Sequence, residues 1–221
     1  MILTSNVAIG TKEGGKFLQA GIHNATFKGI EEQEIQGKDG SSYTTMAIIF
    51  EVDGFGEYVH RLFEPTSNER VAGQWGDNPS QVEQFFVTIR HLIETANPKA
   101  FNDLETKAVE IKGNFKQVIA QIQKFTNGFI NKQTQIKLLP QRSGFNQLPG
   151  FPARINRAGV LYLTTRFIGN NLTLTANEIT AIEKAKSARP TNMQTQDNQG
   201  GVMDGMSADF RSSQEIDDLP F

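Results

Sequence analysis

Three histidines, His23, His60 and His91, are the only imidazoles of this 221-residue sequence, and cysteine is absent. No two of the histidines stand at metal-ligand spacing. Without cysteine there are no thiolate ligands, disulfides or cysteine nucleophiles. Gly10, Gly15 and Lys16 have the spacing of a phosphate-binding loop. Phe17, however, stands where that motif needs a hydroxyl for Mg²⁺, and a strand pattern follows where a helix N-terminus should face the phosphates. The segment reads as a glycine-rich turn. Glu31, Glu32 and Glu34, on strand or turn positions, read as a solvated edge. No catalytic constellation, metal site or cofactor site emerges, and the sequence is expected not to encode an enzyme.

The chemistry that the residues do offer is base stacking and phosphate contact. Single strands are held without sequence preference by a cationic groove lined with aromatic platforms. Sixteen Phe, three Tyr and one Trp are available. Phe50, Phe85 and Phe86 lie on apolar faces and are assigned to the core. Aromatics beside polar or basic residues are the candidates: Tyr43 follows Lys38, while Tyr58, Arg61 and Phe63 share one strand with His60. Trp75 lies in a polar loop with Arg70. Lys112 and Lys116 flank Phe115, Lys124 precedes Phe125, and Lys132 follows Phe129. The sixteen residues from Arg142 to Arg157 include Arg154 but no acid.

These candidates must be positioned by an early set of strands. Phe17 to Ile35 is β-prone, with Gly21 and Gly29 as bend points. Residues 36–42 form a turn cluster, Tyr43 to Val52 alternates with period two, and Asp53-Gly54 turns the chain into Glu57 to Phe63. Next comes a helix with Asn78 as its expected cap. Its apolar face is Val82, Phe85, Phe86, Ile89, Leu92 and Ile93, and Asn97-Pro98 ends it. Ala108 to Lys112 reads as a strand and Phe115 to Phe125 as a helix. Gln133 to Leu139, Val160 to Ile168 and Leu172 to Leu174 read as strands. A last helix begins at Thr175 with Glu178 completing a capping box. The expected fold is mainly β (α+β), an OB-fold-like antiparallel barrel with inserted helices and strands.

Charge divides the chain. Six of its 24 acidic residues but only two of its 22 basic ones lie in 187–221, so 1–186 carries 18 acids against 20 bases. The expected organisation is a body over 1–186 and an acidic tail over 187–221. The tail is read as disordered because it has too little apolar surface to offset the entropy of ordering. No segment reads as a membrane span or a signal peptide, and a cytoplasmic location, in a bacterium or a phage-infected host, is expected.

The chain ends Glu215-Ile216-Asp217-Asp218-Leu219-Pro220-Phe221. This resembles the C-terminal tip of bacterial single-stranded DNA-binding proteins, a feature shared by phage replication proteins of the same function. The resemblance covers about a sixth of the chain. It implies that Phe221 enters an apolar pocket on a partner while Asp217 and Asp218 meet a basic surround, with Leu219 and Pro220 completing the docking segment. Polymerase, primase-helicase or nuclease are the partners it implies. The N-terminal strand motif of the bacterial family is not evident in 1–15, and the larger body looks more like phage-encoded members. The expectation is a protein that coats single-stranded DNA in replication, recombination and repair. The alternatives are a strand-annealing or recombination mediator, and a virion assembly or scaffold protein that does not bind DNA. A homo-oligomer is possible on either reading.

Overall fold

The structure is a computed structural model that describes residues 18–188 except 38–39, 74–75, 107–112, 142–145 and 150–151. Strands β1 (Gly21–Gln36), β2 (Ser42–Val52) and β3 (Gly56–Phe63) form the expected antiparallel meander. β1 is long because it has two partners. Its first half, Gly21 to Thr26, pairs with a strand at Gln133–Pro140, and Ala25 to Gln36 pairs with β2. The register shifts between Phe27 and Gly29, a bulge that inserts Lys28. Side chains alternate with period two, so one extra residue reverses which parity faces inward. Ala25 and Phe27 are buried before the bulge, and Ile30 after it. Gly29 has φ +133°, a conformation that side chains with a Cβ rarely adopt.

The remaining elements are β4 (Val71–Gly73), β5 (Gly76–Asn78), α1 (Gln81–Ala96), α2 (Pro98–Thr106), α3 (Phe115–Thr126), β6 (Gln133–Pro140), β7 (Asn146–Gln147), β8 (Ala153–Ile155), β9 (Leu161–Leu163), β10 (Ile168–Gly169) and α4 (Ala176–Ala188). The main sheet runs β10-β6-β1-β2-β3. With β6 and β10 counted as fourth and fifth strands, this is the order of an OB-type Greek-key barrel opened along one seam. Among the described residues no pairing joins β3 to β10. The sheet therefore curls as a half-barrel, and the fold is mainly β and OB-like, with helices inserted between the third and fourth barrel strands.

Helices α1 and α3 complete its core. Phe85, Ile89, Leu92 and Ile93 of α1 and Phe115, Ile119 and Ile122 of α3 join Phe27, Ile48, Phe50, Ile136 and Leu138 in one buried cluster. Burial of each such side chain stabilises by roughly 2 kcal/mol. β10 is held to α1 by polar contacts as well. The Phe167 and Ile168 N–H groups donate to His91 Nε2 at 3.2 and 3.4 Å, and Thr95 Oγ1 donates to the Ile168 carbonyl at 3.3 Å.

Local chemistry corrects several sequence expectations. The α1 cap is Ser80 rather than Asn78. Ser80 Oγ accepts from Glu83 N and the Glu83 carboxylate accepts from Ser80 N, whereas Asn78 closes β5. Pro98 does end α1, but it also opens α2, since a proline suits a helix's first position. Val160 to Ile168 is not one strand. β9 stops at Leu163, and Thr164 turns back to donate to the Pro152 carbonyl through both N and Oγ1. Leu172 to Leu174 forms no strand; its backbone leads into the Thr175–Glu178 cap of α4. Ala108 to Lys112 lies outside the described residues.

Candidate nucleic-acid interface

Strand register sorts the candidates between the two faces of the sheet. Tyr58 pairs with Phe50 and therefore faces the core with His60 and Leu62. Its ring sits 6.4 Å from that of Phe50, its hydroxyl accepts from Leu148 N at 3.0 Å, and burial pushes the phenol above its ordinary pKa. Tyr58 is thus a packing residue, which corrects its reading as a stacking platform. Tyr43, Arg61 and Phe63 share the opposite face. Phe63 stands beside Thr45, and Tyr43 lies two residues further along β2 as its diagonal neighbour. Tyr43 is exposed and Phe63 half-buried. Arg61 is drawn against the sheet: Nη2 donates to Gln33 Oε1 at 3.1 Å, while Nε and Nη1 are buried without partners.

Two further candidates are engaged by carboxylates. Lys116 lies 2.8 Å from Glu32 and 3.4 Å from Glu34 on β1. Arg70 makes a two-nitrogen contact with Glu83, and that hydrogen bond holds the Glu83 carboxyl below its usual range. Cations outside the candidate set behave similarly. Arg166 pairs with Glu94 at 2.8 Å. Lys137, only 3% exposed, is clamped by Glu178 at 2.9 Å and by Thr165 at 2.8 Å. Burial raises the Glu178 pKa, but bonds from Thr175, Thr165 and Lys137 outweigh it and hold the group lowered. This buried pair ties α4 to the outer side of β6. Two open polar clefts flank Asn170 and Asn171, of about 310 and 570 Å³. The cations lining the larger one are these same two, Lys137 and Arg166.

Arg154 and Arg157 are placed differently. β8 and β9 form a hairpin in the connection between β6 and β10, with Arg154 directly opposite Tyr162. Arg157 lies in the turn, which Asn156 organises by accepting from the Ala158 and Val160 N–H groups at 2.9 Å each. The root is fixed to α1: Ala153 N donates to Gln84 Oε1 at 2.9 Å, and Gln84 Nε2 returns a bond to Ala153 O at 3.1 Å. Arg154, Arg157 and Tyr162 are exposed, Tyr162 by 46%. Neither arginine has an ion-pair partner among the described residues. OB folds use the loop between their fourth and fifth strands, and the face of strands two and three, to bind oligonucleotides.

Sequence reading missed Tyr162. The signal was present in Ala153 to Leu163, where two short alternating runs flank Asn156-Arg157-Ala158-Gly159, a hairpin pattern that sets Tyr162 across from Arg154. β5 lies beside β8, so the β4–β5 hairpin adjoins the basic one. Trp75 lies outside the described residues, as do Lys38, Lys112, Arg142, Asp217, Asp218, Leu219, Pro220 and Phe221.

Among the described residues no group of three His, Asp or Glu forms a metal cluster, and no helix is long and apolar enough to cross a membrane. The class these observations define is an OB-like α+β protein that displays a cationic, aromatic hairpin. No family model matches the chain, and no curated protein matches it in sequence.

Proposed function

We propose that this protein is a non-enzymatic single-stranded DNA-binding protein that coats exposed strands and recruits replication or repair proteins through its acidic C-terminal tip. The observation that carries the reading is the Arg154–Tyr162 pair, exposed and without an ion-pair partner among the described residues, on the connection that OB folds use for oligonucleotides. A base stacks on the exposed tyrosine ring, and Arg154 and Arg157 meet the flanking phosphates. Tyr43 and Phe63, on the face of β2 and β3, extend the contact. The resemblance of Asp217 to Phe221 to the bacterial tip supports the recruiting role. Phe221 supplies an aromatic anchor, and the neighbouring acids steer encounter with a basic partner.

Fluorescence anisotropy of a labelled dT oligonucleotide across a salt series, with duplex as competitor, tests the proposal. Binding is expected to prefer single strands and to weaken as salt rises. Absence of binding at low salt refutes the reading. Rapid pairing of complementary oligonucleotides in the same preparation favours the annealing alternative.

A further inference from the structure

We infer that β3 is a self-complementary edge through which two copies of this chain pair as an antiparallel dimer. β3 is the outermost strand of the sheet, and among the described residues no strand lies beyond it. Natural sheet edges are guarded by charged side chains, lysine above all, by prolines or bulges, or by a covering loop or helix. The eight residues Gly56-Glu57-Tyr58-Val59-His60-Arg61-Leu62-Phe63 contain neither lysine nor proline, and their register with β2 is unbroken.

The charges on this edge are arranged as a palindrome. Glu57 and Arg61 stand on the same face, two positions either side of Val59. A strand rises about 3.3 Å per residue, so the two side chains are rooted about 13 Å apart; burial lowers the Arg61 pKa, and Glu57 of the same copy offsets this only as a nearby charge, without a direct ion pair. Glu57 is exposed and has no ion pair among the described residues. Arg61 keeps two buried donors, Nε and Nη1, without partners. The guanidinium makes a single side-chain hydrogen bond, from Nη2 to Gln33, so it gives up little when it swings away from Gln33 towards the edge to meet an acceptor.

A second copy supplies it. When two β3 strands run antiparallel with the two-fold axis at Val59, Glu57 of each copy faces the partner's Arg61, so two ion pairs form at cross-strand distance. Axes at Glu57 or Arg61 instead bring like charges together, so charge selects one register. The joined edges make one continuous surface of the two β2–β3 faces, placing the Tyr43 and Phe63 rows of both copies on the same side. An eight-residue edge is short, so self-association is expected to be of micromolar strength and to weaken with salt. None of this depends on DNA binding.

Sedimentation velocity of the full chain, from low micromolar to several hundred micromolar, tests the inference. The wild type is expected to pass from monomer to dimer, and Glu57→Arg to weaken association at least about tenfold, as is Arg61→Glu. An equimolar mixture of the two variants is expected to restore the dimer as a heterodimer, since one strand then carries two cations and the other two anions. Circular dichroism melts verify that each variant folds. Glu57→Arg alters an exposed residue and carries the test alone if Arg61→Glu does not fold. A wild type that stays monomeric, a dimer indifferent to Glu57→Arg, or two folded variants that fail to combine would each overturn the inference.

Discussion

Arg154 and Arg157 carry the same charge as Lys116, Arg70, Arg166 and Lys137, yet the two groups stand in opposite situations. The hairpin arginines, Arg154 on β8 and Arg157 in the turn, have no ion-pair partner among the described residues, whereas each of the other four faces a carboxylate of its own chain. A cation interleaved with aromatics in sequence is therefore not yet a phosphate ligand. A phosphate ligand needs a cation that no carboxylate of its own chain engages, and on the proposed reading the acid-free run from Arg142 to Arg157 is where the sequence offers one.

The largest effect expected from this contrast concerns a charge that serves the fold. Glu178→Ala leaves Lys137 buried without its counter-ion, and breaking a buried pair in this way costs about 3–5 kcal/mol. Urea denaturation is expected to show that loss. Glu178→Gln, which retains an acceptor for Lys137 and Thr165, should lose less. Equal losses would mean that the carboxylate charge is immaterial to the anchoring of α4.

Buried histidines come next. Burial lowers the pKa of both His60 and His91 to about 4 from 6.5, with Arg166 assisting at His91. The native state therefore resists protonation while the unfolded state accepts it. The stability each histidine contributes is present above pH 6.5 and is lost as pH falls from 6.5 towards 4. Its limit is about 3 kcal/mol per histidine. Thermal melts from pH 8 to 4 are expected to be flat and then to fall across that window. Replacing His60, which faces the core opposite Ile48, by Leu should remove its share of the slope.

On the hairpin, Arg154→Ala with Arg157→Ala is expected to leave the melting temperature near that of the wild type and to weaken oligonucleotide binding at least about tenfold at low salt. The slope of log affinity against log salt should shrink by about 1.4, or 0.7 for each phosphate contact removed from a single strand. Tyr162→Ala is expected to cost about 1–3 kcal/mol of binding while leaving that slope unchanged, as loss of a stacked base would. A slope unaltered by the arginine changes would move the phosphate contacts elsewhere on the body.

Much of the fold was legible because period-two alternation and capping chemistry are local. The meander, α1, α3, β6 and the Thr175–Glu178 cap of α4 all follow from neighbouring residues. The inward parity change at Lys28 was not legible, since a glycine at 29 suggests a bend but not which residue the partner strand skips. Tyr58 shows the limit most plainly. Its strand was evident, but its face depends on pairing with Phe50 and on Leu148, ninety residues away. Pairings of opposite charge across such distances, Lys116 with Glu32 or Lys137 with Glu178, are likewise invisible until the chain is folded. That Arg154 has no ion-pair partner among the described residues was legible because its run of sequence contains no acid at all.

Lys116 gives the smallest and sharpest test of the comparison. It is exposed, and its charge is already offset by Glu32 and Glu34, so Lys116→Ala is expected to alter oligonucleotide affinity less than about twofold, as removal of one partner from a surface pair usually does. The reverse experiment separates position from neutralisation. Glu32→Gln with Glu34→Gln releases the lysine while leaving it in place. If intramolecular pairing is what silences Lys116, affinity at low salt should rise and the salt slope should gain up to about 0.7. If neither quantity moves, Lys116 takes no part in holding the strand, whatever its pairing.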